Sequence, residues 1–129
     1  MEDAFSPGPR LSALDVVVLS AAGACASWAA YALGPGLGVV LGLPAACFFL
    51  FCNVFRVGLT LELWWAVAYL PITSVMLAQL IPWQLGVGLA VLLCAAVIAI
   101  AMRSPTYHGL GWQRVNPELR ERWDAAREA

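Results

Sequence analysis

Residues 85–102 read LGVGLAVLLCAAVIAIAM, eighteen positions without a charge, an amide or a hydroxyl. At about 1.5 Å per residue a helix of that length covers about 27 Å, close to the hydrocarbon thickness of a bilayer. A surface helix of a water-soluble protein carries a polar face opposite its apolar one. This stretch is apolar all the way round, so its solvent is lipid. Lipid offers no partner for a bare N–H or C=O, which leaves a helix as the conformation that pairs every backbone group within the segment.

The same reading extends outward to three further stretches. Residues 11–33 are broken only by Asp15, residues 37–55 carry no charge, and residues 61–81 carry only Glu62 near their start. The whole chain is 62% hydrophobic and 12% charged, with a mean hydropathy of +0.81, a balance foreign to globular domains. Gly34-Pro35-Gly36, Arg56-Val57-Gly58 and Pro82-Trp83-Gln84 punctuate the series. Connections this short force consecutive spans to run antiparallel. The expected fold is all-α: a polytopic membrane protein with a four-transmembrane-helix antiparallel bundle over residues 11–103. A cytoplasmic segment, residues 1–10, precedes it, and a cytoplasmic tail with a short amphipathic helix, residues 104–129, follows.

All seven basic residues are arginine. Arg10 precedes the first span, Arg56 lies between the second and third, and Arg103, Arg114, Arg120, Arg122 and Arg127 follow the fourth. An up-down-up-down path gathers all of them on one side, which the positive-inside rule makes cytoplasmic. Both termini are then inside. Trp28, Tyr31 and Trp83 fall at the outer interface, and Phe55, Trp64, Tyr107 and Trp112 at the inner one. The first span is too long, and its leader too acidic, for a cleaved signal peptide, so it reads as retained. Heavy Ala, Gly and Arg usage without lysine suggests a GC-rich bacterial genome and hence an inner membrane.

Between helices in lipid, close approach of small residues replaces the hydrophobic drive. Ser20, Ala21, Ala24, Ser27 and Ala30 line one face of the first span, expected to pack within the molecule. Gly38 with Gly42, and Gly86 with Ala90, repeat the spacing at the outer ends of the second and fourth. Pro44 and Pro71 kink the second and third spans, and paired kinks recur around transporter cavities.

An ionisable group inside a span is a candidate functional residue. Asp15 is one: a carboxylate in a first helix suits proton-coupled transport. Ser12-Ala13-Leu14-Asp15 equally fits a capping box, which ties Asp15 to the helix start. Asn53, Arg56, Thr60 and Glu62 form a second group at the inner end of the middle hairpin. Arg56 and Glu62 are expected to pair across the turn and fix its register. The same set, with Arg56 as phosphate donor, suits a lipid head group or anionic ligand. Glu62 lacks the nucleophile or metal ligands that acid-base catalysis would need.

Cys25, Cys47, Cys52 and Cys94 all fall within spans and form no Cys-x-x-Cys, so they read as small apolar fillers, not as a disulfide or zinc set. His108 is the sole histidine and cannot alone supply two haem ligands. No cofactor is expected. In the tail, Asn116-Pro117-Glu118 reads as a helix start with Asn as cap. Leu119, Trp123 and Ala126 share one face, and Glu118 with Arg122 makes an i,i+4 pair. The tail's four arginines balance its four acids, a poor nucleic-acid surface. Its apolar stripe is expected to fold back under the bundle or dock on a partner.

No phosphate loop, nucleophile-base pair or nucleotide fingerprint is present. The leading expectation is a non-enzymatic integral membrane protein, an accessory or assembly subunit partnered by the bilayer and by other membrane chains or its own copies. The alternatives are a small oligomeric proton- or ion-coupled transporter or channel, and an inner-leaflet lipid-binding protein or membrane enzyme.

Overall fold

The computed structural model describes residues 5–129, and every regular element among them is helical. In chain order these are α1 (Ala13–Leu33), α2 (Pro35–Phe49, continued by a π-helical turn, Leu50–Val54), α3 (Leu59–Leu77), α4 (Trp83–Met102), α5 (Trp112–Val115) and α6 (Leu119–Glu128). Helices α1, α2 with its π turn, α3 and α4 are long and apolar enough to cross a membrane. They match the four stretches read from the sequence.

The third span differs at its far end. Helix α3 stops at Leu77, four residues before the expected limit, and Gln79 takes a left-handed conformation with φ 57°. Pro82 accounts for the difference. Its ring disfavours helical backbone at the residue before it, while its own fixed φ suits a helix start. Pro82 becomes the N-cap of α4, and Trp83 and Gln84, expected in a loop, form the first turn of that helix.

Helix α1 packs on α2, and α3 on α4, with α2 providing the main bridge between the two pairs. The α1–α2 contact is made where side chains are smallest. Gly38 is buried, and a Cβ there would overlap the Ala30 side chain and the Ala26 carbonyl. Opposite it, Ala29 is the one residue of α1 that is buried, with Ala22, Ala26 and Ala30 partly covered. This corrects the expected packing face: Ser20, Ala21, Ala24 and Ser27 are all exposed.

The core lies between α2, α3 and α4, around Cys47, Phe51, Trp65, Tyr69, Ala90, Cys94 and Val97. Trp65, only 1% exposed, stacks on Tyr69 with ring centroids 4.9 Å apart and planes 10° apart. Phe48 and Phe51 meet its ring edge-on at 5.4 and 5.6 Å. Such aromatic pairs contribute about 0.5–1.5 kcal/mol each beyond their burial. That concentration of rings holds α2 against α3.

The arginine-bearing end is knit by backbone hydrogen bonds. A helix C-terminus leaves carbonyls without intrahelical donors. At the end of α2 these are taken by segments far away in the chain: Asn53 O accepts from Arg10 N at 2.7 Å, and Val54 O from Leu110 N at 2.9 Å. Gly8 N donates to His108 O at 2.7 Å. Gly109 is buried with its Cα directly against the Phe55 backbone, an approach that any side chain would block. The residues before α1, the α2–α3 connection and the residues after α4 are thereby one connected layer.

The tail folds back on that layer. Its helix begins at Leu119, with Glu118 and not Asn116 as N-cap. Asn116 is buried because its amide nitrogen donates to the Pro105 and Tyr107 carbonyls, while its own carbonyl accepts from Leu119 N. Trp112, expected at the inner interface, begins the short helix α5. Phe5 sits between the two tail tryptophans, 5.7 Å from Trp112 and 5.6 Å from Trp123.

Candidate functional site

Two clefts open at the polar end of the molecule; Asp15 and Asn53 line one and Arg56 the other, while Glu62 lines neither. The first, of about 350 Å³, runs between α1 and α2 and is lined by Asp15, Cys52 and Asn53 at its polar end and by Val18, Ala22 and Phe48 further in. The second, of about 420 Å³, lies below the helix ends, between the N-terminal segment and the tail. Arg56, His108 and Arg122 line it together with Phe5, Leu119 and Trp123.

Asp15 is held by local geometry. Its Oδ2 accepts from the Ser12 backbone N at 2.8 Å and from the Ser12 hydroxyl at 2.6 Å, while Asp15 N donates to Ser12 Oγ at 3.2 Å. This is the complete capping box expected at the start of α1. Asn53 adds a tertiary contact. With its amide oriented to satisfy both acceptors, its nitrogen donates to the Arg10 carbonyl at 3.0 Å and to Asp15 Oδ2 at 3.1 Å. One carboxylate thus ties the head of α1 to the foot of α2.

The ion pair expected between Arg56 and Glu62 is not formed. Arg56 is the first residue beyond the C-cap of α2 and takes φ 49°. That left-handed turn carries its side chain away from α3, and its Nη1 donates to the Ser6 carbonyl at 2.8 Å. Glu62, 8% exposed, instead accepts from the Cys52 thiol at 3.2 Å. The expected cluster therefore separates. Asn53 joins Asp15, Glu62 joins Cys52, and Arg56 joins Ser6 of the N-terminal segment, while Thr60 is exposed.

Pro44 and Pro71 lie inside α2 and α3 as expected. Neither lines either of these two clefts, and Pro71 is exposed. Cys47 and Cys94 are free thiols buried together in the core between α2 and α4.

Sequence reading missed the second cleft as a unit. Its residues come from positions 5 to 126, and only the tail's apolar stripe foretold one wall. His108 is fixed by a hydrogen bond between Nδ1 and the Thr106 carbonyl at 2.9 Å. Arg122 Nη1 donates to the Pro105 carbonyl at 3.3 Å, and its Nη2 pairs with Glu118 Oε2 at 2.9 Å. Burial raises the phenol of nearby Tyr107 above its ordinary range, and its hydroxyl donates to the Leu110 carbonyl at 2.7 Å.

No known protein family matches the chain, and no curated protein or solved structure matches it either.

Proposed function

We propose that this chain is a non-catalytic integral membrane subunit that assembles with other membrane-embedded helices through α1. In this reading it forms an antiparallel bundle of two hairpins in a bacterial inner membrane. Its termini, its α6 helix and its α2–α3 connection face the cytoplasm. The seven arginines, all outside the spans and all flanking one end, support that orientation.

One observation carries the assembly reading. Helix α1 is covered by α2 on a single side, and Ser20, Ala21, Ala24 and Ser27 stay exposed on the other. Small faces contribute in lipid by admitting a second helix at close range, with Ser hydroxyls available to bond across. A face of Leu and Val suffices for contact with acyl chains. The partner is another membrane chain or a second copy of this one.

The transporter alternative draws less support. Asp15 is occupied by Ser12 and Asn53, whereas a coupling carboxylate needs access to substrate and proton in turn.

Cysteine chemistry tests the assembly. Cys25 is exposed on α1, and Cys52→Ala removes the other exposed thiol. Short bismaleimide treatment of membranes at native expression should convert the chain into a larger product through Cys25. Ala24→Leu should suppress that product. A chain that stays monomeric under these conditions contradicts the assignment.

A further inference from the structure

The cleft beneath the helix ends combines fixed positive charge with apolar walls at the depth where the spans finish. Arg56 follows the π turn of α2 by two residues, and Pro105 follows the end of α4 by three. That is head-group level for a chain crossing a bilayer. Two guanidiniums and one imidazole line the cleft, and no carboxylate does among the described residues. Glu118 stands beside it and takes one amino group of Arg122.

The arginines are also preorganised. Backbone carbonyls of Ser6 and Pro105 hold Arg56 Nη1 and Arg122 Nη1, so little rotamer freedom remains to be lost on binding. Phe5 and Trp123, 5.6 Å apart, supply a hydrocarbon surface next to these charges. An inorganic anion would use the guanidiniums and leave that surface wet. An amphiphile uses both.

We propose that this cleft binds the phosphate of an anionic phospholipid, with Arg56 and Arg122 as charge-assisted donors and the first acyl carbons against Phe5 and Trp123. Its volume, about 420 Å³, accommodates a phosphoglycerol head and the start of a chain. The lipid then ties the N-terminal segment, the α2–α3 connection and the tail to the inner leaflet through one ligand.

The test uses the full chain in an uncharged detergent, with tryptophan fluorescence as readout. Dihexanoyl phosphatidylglycerol, dihexanoyl phosphatidylcholine and inorganic phosphate are titrated separately. The expected order is phosphatidylglycerol at least about tenfold tighter than the other two, with Arg56→Gln and Arg122→Gln each lowering its affinity about tenfold. Arg103→Gln, outside the cleft, should leave it unchanged. Ala126→Glu, which places a carboxylate in the wall from an exposed position, should weaken binding without removing an arginine contact. Equal affinity for the two lipids, or a preference that survives these cleft variants, overturns the site. Inorganic phosphate binding as tightly as phosphatidylglycerol overturns the lipid as its source.

Discussion

The Tyr69 hydroxyl donates to the Val40 carbonyl at 3.0 Å, a bond that links α3 to α2 inside the core. Val40 lies four residues before Pro44, which has no N–H to return to it. A helix kink in lipid requires another donor for the freed carbonyl. Here an aromatic residue on the neighbouring helix supplies it, while its ring stacks on Trp65.

Tyr69→Phe should therefore destabilise the protein by about 1–3 kcal/mol, since a buried carbonyl is left unpaired. Restoring the intrahelical donor with Pro44→Ala should shrink that cost. The double-mutant cycle, measured by thermal unfolding in detergent, should show clear coupling between the two positions. Additive effects would place the Val40 carbonyl outside the bond's energetics.

Gly38 and Gly42 should respond differently to enlargement. A Cβ at Gly38 overlaps Ala30 and the Ala26 carbonyl, whereas one at Gly42 sits 3.4 Å from the Ala26 side chain. Gly38→Ala should part α1 from α2 at a cost of about 1–3 kcal/mol. Gly42→Ala should be nearly neutral. A fluorescence pair spanning the two helices, read alongside the unfolding midpoint, distinguishes the two.

Arg56 and Glu62 lie on different networks, so their substitutions should add. Arg56→Ala and Glu62→Gln combined should cost the sum of the single changes within about 0.5 kcal/mol. Cys52→Ala with Glu62→Gln should instead be coupled, because the thiol donates to the carboxylate. Coupling between Arg56 and Glu62 would restore the ion pair that the structure lacks.

Tyr107 makes tail docking sensitive to alkali. Its phenol is raised by burial, so the folded arrangement favours the protonated form. This contribution is present below the ordinary tyrosine range and is lost as pH rises past about 10. Limited proteolysis between Tyr107 and Leu119 should accelerate there. Tyr107→Phe should make the tail easier to cleave at neutral pH, through loss of the Leu110 bond, and remove the Tyr107 contribution to the alkaline change.

The spans were legible because lipid imposes one rule on every residue between two interfaces, and composition alone reports it. The Ser12–Asp15 cap was legible because its partners are three residues apart. The packing face of α1 was not, since Ser, Ala and Gly surround much of that helix and sequence sets no preferred rotation about its axis. Arg56 was misread for a different reason. A left-handed residue at the end of α2 redirects its side chain, and nothing in Phe55-Arg56-Val57 announces that turn. The second cleft required knowing that Phe5 reaches Trp123, a long-range contact with no local signature.

Four crossings with all arginines on one side can be measured directly. Single cysteines at Gly58, Gln113, Gly36 and Gln84, in a background lacking the native four, are treated with a membrane-impermeant maleimide in sealed, oriented vesicles. Gly58 and Gln113 should label only from the cytoplasmic side, and Gly36 and Gln84 only from the opposite side. Labelling of Gly58 and Gly36 from the same side would contradict the two-hairpin arrangement.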